Sequence, residues 1–138
     1  MAQEVTILKQ IEQGRATYAF KVVQEVSDSL KKEYKSAAKK FPVLIKTNGL
    51  GQSLAFLKSK GGKISEKTGK KEINAHDRLY EHIGNWLQTE DEKRLVGKDE
   101  EFVKEVIQLE SHAYRQVTTE TIALLNWIRR FVDGLIED

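Results

Sequence analysis

The sequence predicts an all-α fold, a single-domain bundle of about six helices spanning residues 1–138. Three observations carry this. Apolar residues recur every three or four positions along most of the chain, the period that lays them on one face of a helix. No run alternates apolar and polar residues for long enough to make a useful strand, and no internal repeat is visible. The composition is 39% hydrophobic and 32% charged, with one Pro and no Cys, so the fold must rest on a helical core rather than on disulfides. A chain of 138 residues is long enough to bury roughly two-thirds of its unfolded surface around one core.

The elements follow in order. Val5, Leu8, Ile11, Tyr18, Val22 and Val26 mark a first amphipathic helix, which Ser27, Asp28 and Ser29 end. Leu30 to Phe41 reads as a second, with Leu30, Tyr34, Ala37, Ala38 and Phe41 on one side and lysines around the other. Pro42 disfavours a helical conformation at Phe41 and suits a first turn, so a third helix is predicted over Val43 to Lys58. Residues 61–74, rich in Gly and Lys and poor in apolar residues, read as an exposed, mobile loop. Asn74 followed by Asp77 is a capping-box variant that opens a fourth helix carrying Leu79, Ile83 and Trp86. Asp99, Glu100 and Glu101 favour the positive end of a fifth, whose apolar residues are Phe102, Val103, Val106, Ile107 and Leu109. Ser111 is the expected cap of the sixth. There Tyr114, Val117, Thr121, Leu124, Ile128, Phe131 and Leu135 form a seam roughly 35 Å long, as expected of a central bundle helix.

The formal net charge of +2 hides an asymmetry. Residues 31–71 carry twelve Lys against two Glu, whereas residues 72–138 carry eight basic and fifteen acidic groups. Clustered lysines neutralise phosphates and release their condensed counterions, so the middle of the chain is where nucleic-acid contact is expected, on one continuous positive surface. A solvated Lys-rich face is the competing explanation. No apolar run approaches the roughly 20 residues that span a bilayer, and the N-terminus does not read as a secretory signal. With no Cys in the chain, a cytoplasmic location is expected.

The residues offer little to catalysis. The three His, at 76, 82 and 112, form no HExxH, and Glu72 with His76 at i, i+4 reads as a chance surface pair. His82 beside Trp86 reads as a packing residue. Gly62, Lys63, Ser65, Gly69 and Lys70 superficially resemble a P-loop, but Ile64 holds the first Gly position and Lys71 the hydroxyl position. No enzyme, metal site or cofactor is therefore expected. Arg15 falls on the apolar stripe of the first helix, where burial demands a partner, either an acid such as Glu12 or one on a neighbouring helix, or a phosphate. Asn48, Gly49 and Gly51 interrupt the third helix and suggest close approach of another backbone, either tight helix packing inside the bundle or a ligand or partner protein.

Four segments carry a resemblance: IEQGRA at Ile11 to Ala16, KEYKSAAKKFPVLIKTNGLGQSLAFLKSKG at Lys32 to Gly61, LYEHIGNWL at Leu79 to Leu87, and YRQVTTETIALLNWIRRFVDGL at Tyr114 to Leu135. In this order they resemble the small helical subunit of the type III-B CRISPR effector, the Cmr or RAMP-module complex. Val132 and Gly134 depart from that pattern, where Ala is expected, and the connection after Gly61 gives it no support.

The resemblance implies a non-catalytic subunit whose partners are the backbone and large Cmr subunits, further copies of itself, and the guide RNA with its target RNA, with no membrane and no small-molecule substrate. Copies would stack as a filament beside the backbone subunits and line the target-RNA groove, base pairing to the guide supplying sequence choice. Charge placement nominates Lys39, Lys40, Lys46 and Lys58 for RNA contact, then Arg15 and Lys35, with Arg129 and Arg130 after them. The alternative is a helical protein-interaction adaptor with no nucleic-acid contact, its basic middle docking on the acidic end of the next copy.

Overall fold

The structure is a computed structural model describing residues 2–89 and 95–137, with side chains from Gln10 onward. It is an all-α bundle of six helices: α1 (Ala2–Glu25), α2 (Lys31–Asn48), α3 (Leu50–Ser59), α4 (Ala75–Leu87), α5 (Phe102–Ile107) and α6 (Ser111–Leu135). A short 3-10 turn at Asp28–Leu30 joins α1 to α2. The expected contributions of Val5 and Leu8 to the first helix face lie outside the described side chains.

The long helix α6 packs against α1, α2 and α4, while α2 also packs on α3 and α4, and α3 on α5. The core is one cluster that takes Ala19, Val22 and Val23 from α1, Tyr34, Ala38, Phe41 and Ile45 from α2, and Leu50, Leu54 and Leu57 from α3. Leu79, Ile83 and Leu87 of α4 join Val117, Leu124, Leu125, Ile128 and Val132 of α6 in the same cluster. Burying an aliphatic side chain contributes about 1.5–3 kcal/mol, so a cluster this large supplies the main drive to fold.

Two boundaries and one helix face differ from the sequence expectation. The chain does not restart at Pro42. Helix α2 runs through it to Asn48, and the break falls at Gly49, whose φ of 86° and ψ of 162° lie where side-chain-bearing residues rarely go. An interior Pro costs a helix about 3 kcal/mol through its missing N–H and its ring, but Phe41, Pro42 and Ile45 are all buried, and that burial outweighs the local preference. The cap of α6 is Glu110, whose carboxylate accepts the Ala113 N–H at 2.7 Å, rather than Ser111, the first residue of the helix. The seam of α6 also drifts: Leu125 and Val132 are buried, whereas Leu135 is exposed. An α-helix of 3.6 residues per turn slips by about 20° per heptad against a strict seven-residue repeat, which carries the buried face off Leu135 by the end of the helix.

The capping box at the start of α4 forms as its sequence predicts. Asn74 accepts the Asp77 N–H at 3.1 Å, and Asp77 accepts the Asn74 N–H at 3.0 Å. Gly51 has a neighbour, though not a backbone. Its N–H donates to the Tyr114 hydroxyl at 2.8 Å, and a Cβ there would meet the Ile107 side chain at 3.0 Å.

Candidate nucleic-acid interface

The sequence nominates eight basic residues, and the fold sorts them into three places. The first is the seam between α2 and α6. Lys35 and Lys39 are one turn apart on the edge of α2 that faces α6. Lys35 is buried and donates to the Ile136 carbonyl at 2.9 Å, while Lys39 pairs with Asp133 at 2.9 Å. These contacts set α2 and α6 antiparallel. The register continues Arg129 one turn along α6 from Asp133, toward the stretch of α2 that ends in Lys46. Asp133 is held below its ordinary carboxylate range, chiefly by its hydrogen bond to Lys39, with Lys35 and Arg129 adding to the field.

On the outside of this seam the charges are not consumed. Lys40, Lys46, Arg129 and Arg130 are exposed and make no ion pair among the described residues. Lys40 turns toward a groove of about 290 Å³ that it shares with Glu33, Leu44, Phe56 and His76. Arg130 lies beside Trp127 and Glu12 on one side and near Arg129 and Asp133 on the other. Trp127 stacks on Phe131 with centroids 5.8 Å apart, and Phe131 meets Phe20 edge-on at 5.4 Å. The sequence reading did not single out Trp127 or Phe20. The signal was present, since Trp127, Arg130 and Phe131 at i, i+3 and i+4 share one helix face.

The second place is Lys58, which lies against α4 and the start of α5. Its ammonium group donates to Glu101 at 2.8 Å and sits 5.1 Å from the Tyr80 ring centroid. Tyr80 also donates to Glu101, and these bonds, that of Lys58 first, hold the Glu101 carboxyl below its usual range.

The third is Arg15, which the fold ties to Glu120. Its Nε and Nη2 donate to the two Glu120 oxygens at 2.7 and 2.8 Å, and Nη1 donates to Glu12 at 2.9 Å. Trp86 Nε1 adds a donor to Glu120 at 3.0 Å, and Trp127 Nε1 donates to Glu12 at 2.8 Å. Burial by itself would raise the Glu120 carboxyl, but Arg15 and Trp86 bring it below its ordinary value. A two-pronged guanidinium–carboxylate contact is among the strong side-chain bonds, so Arg15 locks α1 to α6. The expectation of one continuous positive surface is therefore corrected. Packing directs Arg15 and Lys35 inward and Lys58 onto Glu101, because a cation brought near the core needs an anionic or carbonyl partner.

The histidines have separate fates. His82 is buried, its Nδ1 lies 2.8 Å from the Tyr34 hydroxyl, and burial pushes its pKa down to about 4. His76 lies beside Glu33, with Nδ1 3.1 Å from the carboxylate but not aligned for a hydrogen bond, rather than pairing with Glu72. Among the described residues no group of three or more His, Cys, Asp or Glu is placed to hold a metal ion. No described helix is long and apolar enough to cross a membrane.

Fold and surface together define a helical-bundle protein distinguished by how it places charge and aromatic rings on its exterior. The family described as CRISPR-associated protein (Cas_Cmr5) matches residues 11–135, and the chain belongs to that family. The "CRISPR system Cmr subunit Cmr5" of Thermus thermophilus is 32% identical over 125 residues, covering 88% of this chain and 94% of that protein. A crystal structure described as a CRISPR-associated Cmr5 family protein, also from Thermus thermophilus, superposes with a TM-score of 0.69 at 29% identity, covering 92% of this chain and 98% of that one.

Proposed function

We propose that this chain, by family a small subunit of a Cmr CRISPR complex, stacks as several copies beside the guide-bearing backbone subunits and touches the RNA through its phosphates. In this reading it is non-catalytic and works inside the cytoplasm. The observation that carries the reading is the set of cations along α2 and α6 that make no ion pair among the described residues: Lys40, Lys46, Arg129 and Arg130, with Lys39 shared with Asp133. Phosphate contacts of this kind position a strand without reading it, which suits a subunit whose partner RNA is chosen by base pairing. Arg15, Lys35 and Lys58 hold the fold in place and contribute to the general field rather than to direct contact.

The test is a reconstituted Cmr complex carrying Lys40→Glu with Lys46→Glu. Both residues are exposed, so the helical content and the assembly are expected to persist while retention of target RNA falls severalfold. Intact assembly with unchanged RNA retention would remove the phosphate role. That outcome favours the adaptor reading, for which the ring cluster of Phe20, Trp127 and Phe131 is the supporting observation, since aromatic anchors dominate protein interfaces.

A further inference from the structure

Between α3 and α4 the chain forms a short hairpin. Ile64 and Lys71 pair as an antiparallel bridge, flanked by Glu72 N–H to the Lys63 carbonyl at 3.0 Å and Ser65 N–H to the Lys70 carbonyl at 2.8 Å. The turn is closed by Gly69 N–H donating to the Ser65 carbonyl at 2.9 Å, with Gly69 at φ 70°. At its tip the Ser65 and Thr68 hydroxyl oxygens accept the Lys67 and Lys70 N–H groups, each at 3.3 Å. The two arms cross so closely that any side chain at Gly62 would overlap the Glu72 carbonyl.

The base of the hairpin is clamped to α4 by one carboxylate. Asp77 accepts the Gly62 N–H at 2.7 Å, and its other oxygen pairs with Lys71 at 3.0 Å. Asn74 adds a bond to the Lys60 carbonyl at 2.8 Å. Burial on its own would raise the Asp77 carboxyl, but the Asn74 and Gly62 backbone donors and Lys71 hold it below its ordinary value, so the clamp stays anionic. Beyond the clamp, Lys63, Lys67 and Lys70 are all exposed, and none makes an ion pair among the described residues.

We infer that this hairpin is a second RNA-binding element, separate from the α2 and α6 cations, that takes the phosphodiester backbone of RNA without regard to sequence. The inference rests on the reading of the chain as an RNA-contacting subunit. Three ammonium groups standing on a clamped hairpin can meet phosphates without first giving up a protein partner, and they lose less freedom than the same lysines on a slack loop. The choice of RNA over an acidic protein surface follows from the side chains. Protein interfaces are anchored by aromatic residues and Arg and are depleted in Lys. Residues 61–72 contain no aromatic residue and no Arg, and Ile64 is their one large exposed apolar side chain. Lysines interspersed with short hydroxyl residues are what phosphate contacts use.

The experiment measures binding of the purified chain to a labelled single-stranded RNA of mixed sequence by fluorescence anisotropy across a salt series. Wild type is compared with a hairpin variant (Lys63→Gln, Lys67→Gln, Lys70→Gln) and a helix variant (Lys40→Gln, Lys46→Gln, Arg129→Gln, Arg130→Gln). Losing three phosphate contacts should make the log–log salt slope of the hairpin variant shallower by about 2, equivalent to roughly a hundredfold weaker binding at about 0.1 M salt. Circular dichroism should match wild type, because all three side chains are exposed. An unchanged slope and affinity in the hairpin variant overturns the inference while leaving the helix surface standing if the helix variant loses binding. Loss in the hairpin variant together with an unaffected helix variant supports the inference and overturns the helix surface. A wild-type chain that shows no salt-dependent RNA binding overturns both. A hairpin variant that binds RNA normally but fails to join the complex overturns the inference in favour of an acidic protein partner.

Discussion

The lysines of α2 and those of the hairpin belong to the same basic stretch of sequence, yet the fold treats them differently. On α2 the helical period decides. Four residues on from the buried position of Lys35 comes Lys39, and both turn toward α6, where one is capped by the Ile136 carbonyl and the other by Asp133. Only the residues rotated away from that seam, such as Lys40 and Lys46, keep their charge for a partner. On the hairpin there is no core to turn toward. Only Lys71, at the clamp, is paired, and Lys63, Lys67 and Lys70 stay unpaired among the described residues. Local net charge therefore overstates what a helical segment can offer to RNA, and states it more nearly for a hairpin outside the core.

If the inward-turned cations serve stability and the outward ones serve binding, removing an inward one must cost folding energy. The largest effect is expected at Arg15, whose loss leaves Glu120 partly buried with only the Trp86 donor from the present network. Arg15→Ala should destabilise the chain by roughly 3 kcal/mol, at the low end for breaking a buried pair. Chemical unfolding of Arg15→Ala, Glu120→Ala and the double variant would show a coupling energy between the two sites. Additive effects would mean that the pair is not what ties α1 to α6.

A somewhat smaller effect attaches to His82, a buried group whose pKa is pushed well down from its ordinary value. The native state keeps it neutral down to about pH 4, whereas the unfolded chain protonates it near its ordinary 6.5. Its contribution is therefore fully present above that value and declines as the pH falls from there toward 4. Between about pH 7.5 and pH 5 the loss should be about 2 kcal/mol, at 1.36 kcal/mol per unit of pKa difference. Urea midpoints measured across that range check it, and His82→Gln should flatten the curve. Asp77 and Glu120 add little in this window, since both carboxyls are shifted down from ordinary values that already lie below it.

Much of the fold was legible in the sequence because helical periodicity is local. The Asn74 and Asp77 box, the six helices and the run from Tyr114 to Ile128 all follow from residues a few positions apart. What was not legible was decided at a distance. Pro42 looks like a helix start until the burial of Phe41 and Ile45 is known, and Leu135 looks buried until the drift of α6 is followed to Val132. The site shows the same division. The abundance of cations could be counted, but Arg15 finds Glu120 more than a hundred residues away, Lys35 finds Ile136 and Lys39 finds Asp133. No spacing rule along the chain encodes those meetings. The hairpin's clamp is partly readable, because the capping-box pattern singles out Asp77, but its reach back to Gly62 is not.

The most direct test sets one inward lysine against one outward lysine. In the salt dependence of single-stranded RNA binding, Lys46→Gln should lower the log–log slope by about 0.7, the value for one phosphate, and leave stability within about 0.5 kcal/mol of wild type. Lys35→Gln should leave the slope unchanged and lower stability by roughly 1–2 kcal/mol through the weakened bond to the Ile136 carbonyl. A slope that drops equally for both variants would contradict the division of labour proposed for these cations.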